Sequence, residues 1–127
     1  MAIEDIKGTL GIRSFTSVGR LVPGKVIQFT YDGQQKYALV LNPEWQGKLH
    51  ALSLKDINAG EFIEIRKLVG SDTDGQILYS RFRNSSLVDD RPYRTYLLSK
   101  VSALREVYVK EEVLKEAVKV TENMYGE

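Results

Sequence analysis

Three short apolar runs separated by two turn-rich hinges occupy residues 25–54, KVIQFTYDGQQKYALVLNPEWQGKLHALSL, and this stretch constrains the fold more than any other. Ile27, Phe29 and Tyr31 alternate with Gln28 and Thr30, as on a strand with one face in the core. Asp32-Gly33 follows, a dipeptide whose tolerance of positive φ favours tight hairpins, although Gln34 and Gln35 are expected to lengthen the connection beyond two residues. Residues 37–41 are continuously apolar and rich in branched side chains, which suits a central strand buried on both faces. Asn42-Pro43 is expected to end that strand, because proline cannot donate to a ladder, and Gly47 reopens the chain into a third strand over residues 48–52. The whole reads as an antiparallel meander, the central sheet of a small β-barrel.

The flanking segments read as additions to that sheet. Leu10, Ile12 and Phe15, with Gly8, Gly11 and Gly19, suggest that residues 1–24 form an extended arm or first strand. Asn58 and Glu61 have the spacing of a capping box, and Phe62, Ile65 and Leu68 or Val69 recur at helical intervals up to Gly70, a plausible C-cap. Residues 71–75 are a loop by composition, and residues 76–83 are an apolar-basic element that reads as either a helix or an edge strand. Asp90-Arg91-Pro92 resembles a helix start, with Tyr93, Tyr96, Leu97, Val101 and Leu104 following at roughly helical spacing. Val107, Tyr108 and Val109 are β-prone and suit a last strand closing the barrel. Residues 111–125 then place Leu114, Ala117, Val118 and Met124 on one side of an amphipathic helix. The expected fold is therefore α+β, one domain in which residues 25–109 form the barrel with inserted helices. Residues 110–127 are its C-terminal helix or a partner-binding tail.

Composition excludes several function classes. With no cysteine among 127 residues, disulfides, thiolate zinc sites and cysteine nucleophiles are all ruled out. The start MAIEDIKGTLGIRSF lacks a basic segment followed by an apolar run, and no apolar stretch approaches membrane-spanning length, so no membrane association is expected. The single histidine, His50, falls inside a strand, where a structural or surface role is favoured over catalysis. Asp72/Asp74 and Asp89/Asp90 offer too few spaced oxygens for a hard cation and read as a loop and a helix cap. No phosphate-binding glycine motif occurs, and no cofactor or small-molecule substrate is implied.

The net charge of +1 conceals a segregation. Residues 76–105 carry six basic side chains against two acidic ones, and residues 106–127 carry three lysines against six glutamates. Within the basic segment, Tyr79, Arg81, Phe82, Arg83, Arg91, Tyr93, Arg94 and Tyr96 interleave aromatic and guanidinium groups. Stacking on bases and pairing with phosphates both use that mixture. The bland alternative makes the aromatics core and the arginines a solvated face or partners for the acidic tail. Trp45, in a loop between turns, is either a lid over the barrel end or an exposed contact for a partner.

The meander, the Tyr-Arg helix and the Val-Tyr-Val strand resemble SH3-like barrels. More narrowly, they resemble small proteins of tailed phages with a YDG turn, a Tyr-x-Leu-Val-Leu strand and an Arg-Pro-Tyr-Arg-x-Tyr helix. Here these are Tyr31-Asp32-Gly33, residues 37–41 and residues 91–96. The resemblance implies an SH3-like barrel and a place in the host cytoplasm or the virion. The expectation is a non-enzymatic accessory or structural protein that contacts a protein partner, or other copies of itself, through Trp45, Leu114 and Val118. The alternative is nucleic-acid binding through Arg81, Arg83, Arg91, Arg94 and Tyr96. A minimal nuclease is a third reading, by analogy with ribonucleases on SH3-like barrels, although Gln35-Lys36 stands where those enzymes carry an arginine.

Overall fold

The computed structural model describes residues 2–69 and 93–125, with the backbone alone over 120–125. The order is β1 (Leu10–Phe15), β2 (Val26–Tyr31), β3 (Gln34–Trp45), β4 (Lys48–Ser53), α1 (Ala59–Leu68), β5 (Tyr93–Leu97), β6 (Ser102–Val109) and α2 (Glu111–Tyr125). The six strands form one antiparallel sheet in the order β1-β6-β2-β3-β4-β5, so the protein is α+β. Among the described residues β1 and β5 are its two edges, and the sheet is open where a closed barrel was expected.

The meander is present with two corrections. Asp32 and Gly33 have φ of 51° and 75°, and Tyr31 already pairs with Gln34, so the hairpin turn is two residues long and Gln34 and Gln35 belong to β3. A turn with positive φ at both central residues matches the twist of the flanking strands, which lets the ladder resume at once. Nor does Asn42-Pro43 end β3. The strand runs on to Trp45 through register shifts on either side of Asn42, and such irregularities accommodate a residue without an N–H. Gln46 and Gly47, at φ 55° and 75°, then make a second tight turn into β4.

A larger correction concerns residues 93–104, expected as a helix. The segment is strand β5, a short 3-10 turn at Leu98–Lys100, and the start of β6. Tyr93 packs against one core and Tyr96 lies in the other, so residues that imitate a helical stripe in fact serve opposite faces of the sheet. The edge of β4 supplies the backbone partners, pairing Leu52 with Tyr93 and Leu49 with Tyr96. The element expected over residues 76–83 and the caps at Gly70 and Asp90 lie outside the described residues.

Each face of the sheet has its own core. On one face, Val26, Leu39, Leu41, Leu52 and Val107 pack against Phe62 and Ile65 of α1 and Leu114 of α2. On the other, Ile27, Phe29, Ala38, Val40, Leu49, Ala51, Tyr96 and Leu104 meet one another with Leu21. Among the described residues, the second core is closed by the curl of the sheet together with Val18 and Leu21. β2 and β5 are three places apart in the order, about 14 Å in a flat sheet. Yet Tyr96 of β5 meets the rings of Phe29 and Tyr31 of β2 at 4.8 and 5.1 Å. The Leu97 amide also donates to the Tyr31 hydroxyl at 3.2 Å.

The helices follow the sequence closely. Asn58 Oδ1 accepts from the Glu61 amide at 2.8 Å and Glu61 Oε1 from the Asn58 amide at 3.1 Å, the capping box read from the sequence. Leu114 is fully buried, Ala117 and Val118 pack against the same core, and an Arg66–Glu111 ion pair ties α2 to α1. Leu114→Ala is expected to cost about 2–5 kcal/mol of unfolding free energy. Asn58→Ala should cost about 1 kcal/mol. Urea denaturation of the two variants measures both.

Candidate functional site

Of the basic residues expected to bind nucleic acid, Arg81, Arg83 and Arg91 lie outside the described residues. Arg94 is exposed on β5, where its guanidinium meets Asp56 at 3.2 Å and donates to the Tyr93 carbonyl at 2.8 Å. It lines an open cleft of about 410 Å³ together with Lys36, Lys55, Tyr31 and Asp32. Tyr96 reaches that cleft but is only 6% exposed, and burial pushes its hydroxyl up to about 12. Its ring therefore contributes packing to the curled face, with little surface to offer a base. Lys100 approaches Asp32 at 3.9 Å, so both carboxylates of the cleft stand beside a cation.

The residues expected to contact partners are distributed differently. Leu114 and Val118 face the domain's own core, which accounts for the amphipathic pattern of α2. Trp45 is half-buried at the end of β3, with its ring 5.3 Å from that of His50. His50 is buried; its Nε2 lies 3.3 Å from the Trp45 carbonyl and its Nδ1 meets the Tyr93 hydroxyl. A carbonyl only accepts, so these partners assign the proton to Nε2 and leave Nδ1 to accept from Tyr93. Burial lowers the His50 pKa, with Lys48 acting in the same direction and the Trp45 carbonyl opposing.

A third place carries the most exposed apolar surface, and its residues had not been assigned as a site from the sequence. Phe15 is 62% exposed, Ile12 44% and Tyr108 38%, all on the ribbon made by β1 and β6. The Arg105 guanidinium lies 4.2 Å from the centre of the Phe15 ring, and that of Arg13 lies 4.9 Å from the centre of Tyr108. Lys25 bonds Glu106 at 2.5 Å, and this bond, with the nearby charges of Lys25, Arg13 and Arg20, holds the Glu106 carboxyl below the usual range. The sequence signal was present in Ile12-Arg13 and in Arg105 with Tyr108, but their convergence depends on pairing between the first and last strands.

Among the described residues, no group of three or more His, Asp or Glu is placed to hold a metal ion, and no helix is long and apolar enough to cross a membrane. Comparison with protein-family models, curated proteins and solved structures finds no match for this chain.

The histidine cluster has a pH consequence. Because the folded pKa of His50 lies below 6.5, the unfolded chain takes up the proton first as pH falls. Stability from this site is complete above about pH 6.5 and declines from there down through the folded pKa. His50→Gln should flatten that slope. Denaturant midpoints collected over this range test it, and an equal slope in wild type and variant would refute it.

Proposed function

We propose that this protein is a non-enzymatic binding protein, an accessory or structural component of a tailed-phage particle that works through protein contacts in the host cytoplasm or the virion. One observation carries the reading: Ile12 and Phe15 are exposed on β1, an edge strand bonded on one side only among the described residues. Solvent-facing apolar side chains beside an unpaired strand edge favour attachment to another polypeptide. The phage setting is supported by the resemblance carried by Tyr31-Asp32-Gly33 and residues 37–41. Residues 93–96 depart from that pattern, being strand where the resemblance has helix. We read the curled sheet as an opened SH3-like barrel, with β5, its 3-10 turn and β6 forming the last hairpin-like return.

Mass spectrometry of purified particles tests this role. The wild-type chain is expected among the particle proteins or in a stable complex with one of them, and Phe15→Asp is expected to reduce its recovery several-fold without changing its melting temperature. Absence of the wild-type chain from particles and from any such complex would sink the reading.

Nucleic-acid binding is kept as a second reading because Arg94 shares its cleft with Lys36 and Lys55. Binding through these groups predicts affinity for a single-stranded oligonucleotide that falls steeply with salt and weakens on Lys36→Ala and Lys55→Ala. A gel shift that shows no complex at low salt would remove this reading.

A further inference from the structure

Directly paired residues lie on the same face of a sheet, while residues an odd number apart along a regular strand point to opposite faces. Ile12 pairs with Val107 and Phe15 with Arg105, whereas Gly11 pairs with Tyr108. Positions 105–107 of β6 pair with β2 without interruption, so Arg105 and Val107 share one face and Glu106 the other, with Tyr108 beside it. The ribbon is therefore two-sided. One side is apolar, presenting Ile12 and Phe15 with Arg105 over the Phe15 ring. The other presents Tyr108 and Arg13 around Glu106, with Lys25 bonded to that carboxylate. Arg13 and Arg20 act on Glu106 through space, and neither makes an ion pair of its own among the described residues. Glu106 thus stands among three cations, and the Arg66–Glu111 pair that lines a pocket with it balances itself, leaving an excess of positive charge here.

We propose that the β1 edge binds an extended acidic segment of a partner protein by strand addition, with its carboxylates on the Arg13 side and its apolar side chains on the Ile12 and Phe15 side. This rests on the protein-contact reading above and supplies its surface and the chemistry of the partner. The backbone of β1 provides the hydrogen bonds, and period-2 alternation in the incoming strand matches the two unlike sides. Arg13 also excludes: a neutral strand would leave its charge unanswered, and a basic one would repel it. A nucleic-acid strand fits this place less well. A Cβ added at Gly11 would lie 2.2 Å from the Tyr108 ring, so that ring rests on the Gly11 backbone, and Arg13 covers it as well. Arg13 and the Gly11 backbone already occupy part of the ring's surface, and an oligonucleotide has no use for an unpaired strand edge.

The probe is a labelled synthetic peptide of about ten residues in which glutamate alternates with valine, long enough for a typical strand. Fluorescence anisotropy with the full chain is expected to show binding that weakens about tenfold or more with Arg13→Glu or Ile12→Lys. Substituting lysine for each glutamate should abolish binding. Methylating the backbone nitrogens of one alternate set should also abolish it, because only one edge of the peptide can meet β1. Both protein variants alter exposed positions, and their melting curves report whether the fold is kept; should either fail to fold, the peptide analogues on wild-type protein decide the matter. The proposal is overturned if the acidic peptide does not bind, if both methylated forms bind like the parent, or if a dT20 oligonucleotide binds this face in preference to the peptide. Recovery of the chain in particles reads the protein-contact role separately, so failure of peptide binding there removes the strand-addition surface alone.

Discussion

A link of four residues, three of them in a 3-10 turn, joins two strands that lie four places apart in the sheet, and much of the structure follows from that constraint. β5 ends at Leu97 and β6 begins at Ser102, with the 3-10 turn Leu98–Lys100 between them, yet the order from β6 to β5 runs through β2, β3 and β4. In a flat sheet the two strands would be about 19 Å apart. A three-residue 3-10 turn advances about 6 Å. The sheet must curl until β5 approaches β2, and the rings of Phe29, Tyr31 and Tyr96 fill the space this creates. Edge-to-face aromatic pairs add about 0.5–1.5 kcal/mol each beyond the area they bury. The bonds from the Leu97 amide to Tyr31 and from the Leu98 amide to the Gly47 carbonyl fix the rim of the curl. A bulge in β6 at Ala103, where φ is 52°, accompanies the return beside β2.

The same constraint explains which parts of the fold were legible in the sequence. β2, β3, β4 and both helices are specified locally, by alternation, by Asp32-Gly33, by Asn58 with Glu61, and by the one-sided apolar pattern of residues 111–125. β5 is not specified locally. Tyr93, Tyr96 and Leu97 satisfy a helical period as well as a strand period, and the open edge of β4, formed more than forty residues earlier, decides between them. Pro43 misleads for a related reason, since a bulge is a property of the pair of strands and leaves no mark on one of them alone.

For candidate functional residues the limit is similar but falls on different side chains. The interleaved arginines and tyrosines of residues 79–96 stood out in one dimension, yet Arg94 is held by Asp56 and Tyr96 is spent on the curled core. Phe15 and Tyr108 read only as strand residues and Arg105 only as part of a basic segment, because nearly the whole chain separates Arg13 and Phe15 from Arg105 and Tyr108. Antiparallel pairing of β1 with β6 brings them together, and neither arginine makes an ion pair among the described residues. The local basic excess read from the sequence was real, but the fold neutralises the part of it seen at Arg94 and assembles another at the opposite edge of the sheet.

The C-terminal helix shows why amphipathicity alone does not identify a docking element. α2 begins one residue after β6, so its first turn is held over the sheet face that carries Val107 and Val109. Leu114 is fully buried there, and the Arg66–Glu111 pair ties the same turn of α2 to α1. With that face committed, the most exposed large apolar side chain among the described residues is Phe15 on β1, with Ile12 beside it on the same strand, while Val22, Leu97 and Tyr108 are exposed singly elsewhere. Of the two edge strands, β5 is drawn onto β2 by the curl, whereas β1 pairs only with β6 among the described residues. Arg13 then limits which partners can use what the fold leaves open.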